Sequence, residues 1–145
     1  MDYLSRALEL KKELDSIYDL GAPILLDHLK DIKTKVYVYI QAYTPGFNDG
    51  EPCEHSSYLY YGEELKDFIE EECYEDDVIE FLKPFTEDIN KIKHKDLDQL
   101  PNNFGEAIEL IDNVLHRYYG TDYQVLFIIG EGHVRMIKED YSCGY

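Results

Sequence analysis

This chain of 145 residues has no tryptophan and only three cysteines. Cys53, Cys73 and Cys143 lie far apart with no Cys-x-x-Cys pair, so we expect reduced thiols rather than a disulfide framework. No apolar run approaches the roughly 18 residues that a membrane-spanning helix needs. The N-terminus also lacks the basic and then apolar pattern of a signal peptide. These absences predict a cytoplasmic protein that makes no membrane contact.

Basic residues are scarce as well. The chain has 14 Lys and Arg against 31 Asp and Glu, which gives a net charge of −17. Binding to DNA or RNA depends on Lys and Arg that neutralise phosphates, so we expect no direct nucleic-acid contact. Such a charge fits a basic protein partner, or mimicry of the charge of a nucleic acid. The charge does not specify an oligomeric state.

Motifs of several enzyme classes are missing too. There is no glycine-rich phosphate loop, no Gly-x-Ser-x-Gly and no His-Glu-x-x-His. The sequence therefore favours a binding protein over an enzyme, and we expect no cofactor. Its length and its hydrophobic content of 44% are typical of one folded unit, so we expect residues 1–145 to form a single domain.

Hydrophobic periodicity predicts alternating helices and hairpins. Three- and four-residue steps indicate helices, and alternation or short apolar runs indicate strands. The predicted helices cover 2–19, 23–32, 63–73 and 104–118, and the predicted strands cover 36–43, 56–61, 123–129 and 133–140. Two hairpins, each preceded by helices, predict an α+β fold with one antiparallel or mixed sheet packed with helices.

Tyrosines line one face of the first predicted hairpin. In the strand 36–43, aliphatic side chains alternate with Tyr37, Tyr39 and Tyr43, and the strand 56–61 adds Tyr58 and Tyr60 to the tyrosine face. Tyrosine offers a large rigid ring with a polar tip, and protein interfaces are rich in it. We predict a binding surface from this face and the following loop, made of Tyr37, Tyr39, Tyr43, Phe47, Asp49 and Glu51. The alternative is that a helix covers the face and the tyrosines form a second layer of core.

The long connection between these two strands has a second interpretation. Asp49, Glu51, Cys53 and His55 alternate, so in an extended segment their side chains would share one face. Carboxylates and imidazole suit Zn²⁺ or Mn²⁺, and a bound metal activates water. A small metal-dependent hydrolase using Asp49, Glu51 and His55 is therefore an alternative function. In the simpler interpretation, Asn48-Asp49-Gly50 is a turn in which Asp49 bonds the backbone.

An acidic segment follows the first hairpin. Residues 63–80 hold ten acids and one base, Lys66, for a net charge of −9. A helical apolar stripe persists within it, so the acids are expected on the solvent side. The predicted acidic surface consists of Glu63, Glu64, Asp67, Glu70, Glu71, Asp76 and Asp77. It would steer a basic partner, act as a nucleic-acid charge mimic, or simply be a solvated face.

The run from Ile40 to His55 resembles a motif of small, uncharacterised phage and bacterial proteins. Its typical form is Trp-Thr-Gln-Tyr-Thr-Pro-Tyr-Phe-Asn-Asp-Gly-Asp-Pro-Cys followed by an acid and an aromatic residue. The matching positions are Tyr43, Thr44, Pro45, Phe47, Asn48, Asp49, Gly50, Pro52, Cys53 and Glu54. The departures are Ile40, Gln41, Ala42, Gly46, Glu51 and His55. The closing pattern with Tyr119-Gly120 and Glu139-Asp140-Tyr141 is similar as well.

The resemblance implies a shared α+β fold and a phage or mobile-element origin, and it implies no activity. With the charge and the tyrosine face, it predicts an acidic protein-binding module. For a phage protein, this would be a modulator or inhibitor of a host or defence protein, acting in the host cytoplasm.

Overall fold

A computed structural model describes residues 2–20, 29, 32–44, 50, 54–72 and 75–141. Its strands are β1 (Val36–Tyr43), β2 (Ser56–Tyr61), β3 (Tyr123–Gly130) and β4 (His133–Asp140). Its α-helices are α1 (Tyr3–Leu20), α2 (Glu63–Asp67), α3 (Asp76–Leu82), α4 (Thr86–Ile89), α5 (His94–Leu97) and α6 (Phe104–Tyr119). A π-helical turn covers Phe68–Glu72, and a 3₁₀ turn covers Lys83–Phe85. None of the described helices is both long and apolar enough to cross a membrane.

The four strands form one antiparallel sheet in the order β2-β1-β3-β4. The predicted α+β fold with two hairpins in one sheet is therefore confirmed. β1 and β3 are the central strands, and nearly all of their residues are buried. This burial explains the almost continuous apolar sequence of β3, because a strand covered on both faces has no solvent side to make polar. β2 and β4 are the two edges.

Each face of the sheet carries its own core. On one face, the aliphatic side chains of β1, including Val38 and Ile40, pack against Ile108, Ile111 and Leu115 of α6. On the other face, Tyr37 and Tyr39 pack with residues of the helical segment 63–89. The buried residues of this segment that cover the sheet are Leu65, Phe68, Val78, Phe81, Leu82 and Ile89. The sheet is thus the middle of three layers.

The β3–β4 turn is confirmed as a tight turn with two residues between the paired ends, Gly130 and His133. Glu131 and Gly132 both have positive φ, 56° and 79°. Positive φ at both central positions is the type I′ pattern, whose twist matches that of the flanking strands. Gly130 lies so close to the backbone of Lys35 that a Cβ added at Gly130 would contact it.

The helix boundaries agree with the sequence except in the acidic segment. α1 begins after Asp2, whose Oδ1 accepts a hydrogen bond from Ser5 N at 2.7 Å, as a helix N-cap does. The helix predicted over 63–73 is α-helical only as far as Asp67 and then widens into the π-helical turn. Most of the helix predicted over 23–32 lies outside the described residues, which include only Leu29 and Ile32 there, both buried.

Candidate functional site

Two of the predicted contact residues are core residues. Tyr37 and Tyr39 are fully buried, because β1 is a central strand and the helical segment 63–89 covers their face of the sheet. The Tyr39 ring stacks on Phe68, with ring centroids 5.8 Å apart. The prediction that these two rings form an exposed contact surface is therefore wrong. The alternative, a second layer of core made of tyrosines, describes their position.

The buried tyrosine hydroxyl of Tyr39 has polar partners. It donates to Gln124 Oε1 at 3.1 Å and accepts from Gln41 Nε2 at 3.3 Å. Gln41 and Gln124 are the two buried polar residues among the described positions. Their amides satisfy a hydroxyl that would otherwise lose its hydrogen bonds on leaving water. This network therefore links β1 and β3 in the middle of the sheet.

The tyrosines at the β2 edge have a different environment. The rings of Tyr43 and Tyr58 stack with centroids 5.9 Å apart, and the Tyr43 hydroxyl donates to the Tyr58 hydroxyl at 3.3 Å. Tyr58 is 47% exposed and Tyr43 is half-buried. Tyr43 and Tyr58 are thus the part of the predicted tyrosine face that a partner can contact. Phe47, Asp49 and Glu51 lie outside the described residues.

β2 presents backbone groups at the edge of the sheet. Gly62 N donates to Tyr37 O at 3.0 Å, immediately beyond the paired residues Val38 and Tyr61. In an antiparallel ladder, the residues that bond the neighbouring strand alternate with residues whose N–H and C=O groups point away. Counting back from Gly62, the outward-pointing groups belong to Ser57, Leu59 and Tyr61. No described strand pairs with this side of β2.

The side chains of the two edge strands differ in charge. β2 consists of Ser56, Ser57, Tyr58, Leu59, Tyr60 and Tyr61, with no charged residue. β4, the opposite edge, carries charged or titratable side chains at His133, Arg135, Lys138, Glu139 and Asp140. Charges on an edge strand discourage pairing with another chain. β4 is therefore protected in the usual way, whereas β2 is not.

A small cleft opens beside β2 on the face covered by α6. Its volume is about 160 Å³, and Leu59 and Ser57 on one side face Ile108 and Asp112 on the other. Asp112 accepts a hydrogen bond from Ser57 Oγ at 2.6 Å and from the Tyr123 hydroxyl at 3.4 Å. Burial, together with the nearby Asp112 carboxylate, raises the pKa of the Tyr123 phenol well above its usual range. The cleft therefore combines an apolar wall with two carboxylates, Asp112 and Glu109.

The predicted acidic surface is mostly exposed. Glu64, Asp67, Glu70, Glu71, Asp76 and Asp77 are exposed, and Glu63 is half-buried. α2 follows β2 after the single residue Gly62, so Glu63 and Glu64 lie next to the end of the edge strand. Asp77 instead lines a wider cleft of about 390 Å³ with Glu80, Glu139 and Asp140. The acids therefore extend from the β2 end across the helical layer.

His55 immediately precedes β2 and lies beside Thr121 and His116. Its Nδ1 is 3.0 Å from Thr121 Oγ1, and its ring stacks on His116 with centroids 3.7 Å apart. Burial and the neighbouring His116 lower its pKa, and Asp112 and Asp122 oppose that shift. Within the described ranges, no three His, Cys, Asp or Glu residues are placed to hold a metal ion. Of the three candidate ligands, only His55 belongs to those ranges.

The sequence did not single out Ser57, Leu59 and Tyr61. The signal was present in part, since a strand of six residues without a charge is readable in the sequence. That this strand is an edge depends on β1 pairing with β3, which only the folded structure shows. Comparison with known proteins adds no assignment, because no protein-family model, curated protein or solved structure matches this chain.

Proposed function

We propose that this protein binds a partner protein by strand addition, in which an extended segment of the partner pairs with β2. The observation that carries the proposal is an edge strand with outward-pointing backbone groups and no charged side chain. Strand addition uses such backbone groups for affinity and side-chain pockets for specificity. The exposed Tyr58 ring on one face of the strand and the cleft beside Leu59 on the other are the places where partner side chains would bind.

The chemistry around β2 favours a basic partner segment. Glu54 precedes the strand and is exposed, Glu63 and Glu64 follow it, and Asp112 borders the cleft. With a net charge of −17, the whole chain attracts a basic protein at long range. We therefore propose a partner strand that carries Lys or Arg next to an uncharged stretch. The charges would speed association, and the backbone pairing would hold the complex.

The biological setting is a separate part of the proposal. The 40–55 segment resembles small phage and bacterial proteins, and this resemblance supports a role as modulator or inhibitor of a host or defence protein. Strand addition suits that role because it needs only an accessible segment of the target. The hydrolase alternative has no support from the described residues, and its candidate ligands Asp49 and Glu51 lie outside them.

The test is a proline substitution that removes one outward N–H. Ser57→Pro removes the N–H of an edge position, where proline is tolerated, and it leaves the β1–β2 hydrogen bonds in place. Ser57→Ala is the matched control, since both variants lose the Ser57 Oγ bond to Asp112. Tagged wild-type, Ser57→Ala and Ser57→Pro proteins would be used to capture partners from cytosol of the producing or infected cell. Captured proteins are identified by mass spectrometry after low-salt and high-salt washes.

We expect wild type and Ser57→Ala to retain one stoichiometric partner through the high-salt wash, and Ser57→Pro to lose it. Equal thermal melting of the two variants would show that the loss is not unfolding. Retention by Ser57→Pro would overturn strand addition. If the partner is instead lost when Glu64, Asp67, Glu70 and Glu71 are changed to lysine, the acidic surface binds it, as the charge-mimic alternative predicts.

A further inference from the structure

α1 exposes to solvent the apolar side chains that the structure describes in it. All of its side chains that the structure describes are exposed, and Leu10 and Leu14 are 48% and 42% exposed. A single helix of this length is marginally stable in water, because most helices in proteins gain stability by burying an apolar face. The apolar residues of α1 therefore need a partner that the described part of the chain does not supply.

Five apolar residues of α1 have the spacing of a coiled coil, and the exposed Leu4 and Leu8 lie outside this set. Tyr3, Ala7, Leu10, Leu14 and Ile17 follow one another at steps of four, three, four and three residues. This is the a/d pattern of a helix that packs against one other helix along a narrow seam. The partner surface that fits α1 is therefore another helix with the same repeat.

The flanking charges indicate a second copy of α1 in the antiparallel direction. Arg6 and Glu13 lie on the same side of the seam, seven residues apart. When two copies pair antiparallel with Ala7 opposite Leu10, each Arg6 meets the Glu13 of the other copy. A parallel pair would instead place Arg6 beside Lys11, like charges that repel. The antiparallel pair also sets each small Ala7 against a large Leu10, which fills the seam.

The charge of α1 also permits two acidic molecules to meet there. α1 has three bases and four acids, so its net charge of −1 contrasts with −17 for the whole chain. Arg6 already contacts Glu9 of its own helix, with Nη1 and Oε2 3.3 Å apart. Its guanidinium has five N–H donors, enough to keep this contact while it pairs across the seam.

We propose that α1 is a self-association surface that forms an antiparallel helix pair with α1 of a second copy. This inference is independent of the β2 edge, which lies on a different element. The pairing makes a dimer with four layers of seam contacts, Tyr3 with Leu14 and Ala7 with Leu10, each occurring twice. The two Arg6–Glu13 contacts fix its direction and register.

Charge exchange tests the pairing on the full-length chain. Arg6→Glu and Glu13→Arg are made singly and together, and their dimerisation constants are measured by sedimentation equilibrium. Lys12→Glu is the control, because it changes the charge equally, lies away from the seam and is also three residues from Glu9. We expect each single exchange to weaken dimerisation roughly tenfold, and the double exchange to restore it. Lys12→Glu should dimerise like wild type.

Three results would each overturn the proposal. The first is a wild-type protein that stays monomeric at every concentration. In that case, α1 would pack against a helix other than a second copy of itself. The second is an equal effect of Arg6→Glu and Lys12→Glu, which would reflect net charge alone. The third is failure of the double exchange to restore pairing while circular dichroism shows an intact helix.

Discussion

The tyrosines of β1 and β2 show how the position of a residue decides the role of one side-chain type. Tyr39 lies on a central strand under the helical segment and is fully buried, whereas Tyr58 lies on the edge and is exposed. A tyrosine ring therefore contributes core packing at position 39 and accessible contact area at position 58. The alternation in the sequence correctly put these rings on one face. It could not show that the helical segment covers most of that face.

Tyr39→Ala should destabilise the fold rather than only weaken binding. It removes a fully buried ring and leaves Gln124 Oε1 without the Tyr39 hydroxyl. We expect a loss of about 3–5 kcal/mol in the free energy of unfolding, as for other buried aromatic truncations. Tyr58→Ala at the exposed edge is the control and should cost less than about 1 kcal/mol. Urea unfolding followed by circular dichroism gives both values, and similar losses for the two variants would contradict this assignment.

At the scale of elements, the sequence predicted the strands and the longer helices well. Strong periodicity marks them, and β1 and β2 were placed with their observed ends. The sequence of 83–103 shows no clear period, since its 3₁₀ turn and one-turn helices are too short to produce one. The π-helical turn was missed because residues 63–73 carry an ordinary helical stripe. The edge position of β2 follows from strand pairing, which is a contact between distant parts of the chain.

The β3–β4 hairpin depends on Gly130 more than on Gly132. Both have positive φ, but a Cβ at Gly130 would meet Lys35 Cα and Thr34 O at 2.9 Å, while one at Gly132 would meet nothing within 4 Å. We expect Gly130→Ala to cost about 2–5 kcal/mol, from backbone strain and the clash together. Gly132→Ala should cost roughly 1–2 kcal/mol from its φ alone. Chemical denaturation of both variants measures the difference, and equal costs would show that the Lys35 contact relaxes freely.

At the scale of the whole molecule, the charge distribution separates two kinds of surface. The acids concentrate in residues 63–80 and around β2, and the exposed apolar helix α1 is nearly neutral. An acidic region attracts basic partners at a distance, while a neutral apolar helix can approach a copy of itself. The two proposed interactions therefore use separate surfaces, and a variant that disturbs one should leave the other intact.

The contribution of His55 to the stability of the whole molecule should fall as the pH drops below about 6.5, the usual pKa of histidine. Burial lowers the pKa of His55 in the folded protein, so the unfolded chain binds its proton first. His55 therefore contributes stability above its unfolded pKa, and this contribution is lost as the pH falls through its folded pKa. Protonation elsewhere acts in the opposite direction, because it reduces the self-repulsion of a chain with a net charge of −17.

A His55→Gln variant separates the two effects. Glutamine keeps a polar group near Thr121 Oγ1 but does not titrate, so the pH-dependent loss from this position disappears. We expect the urea midpoint of wild type to fall more between pH 7.5 and pH 5.5 than that of His55→Gln. Both proteins share the remaining histidines and carboxylates, so the difference between the two slopes belongs to His55. Parallel slopes would mean that the ring takes up a proton without cost, and that its stacking on His116 does not oppose the charge.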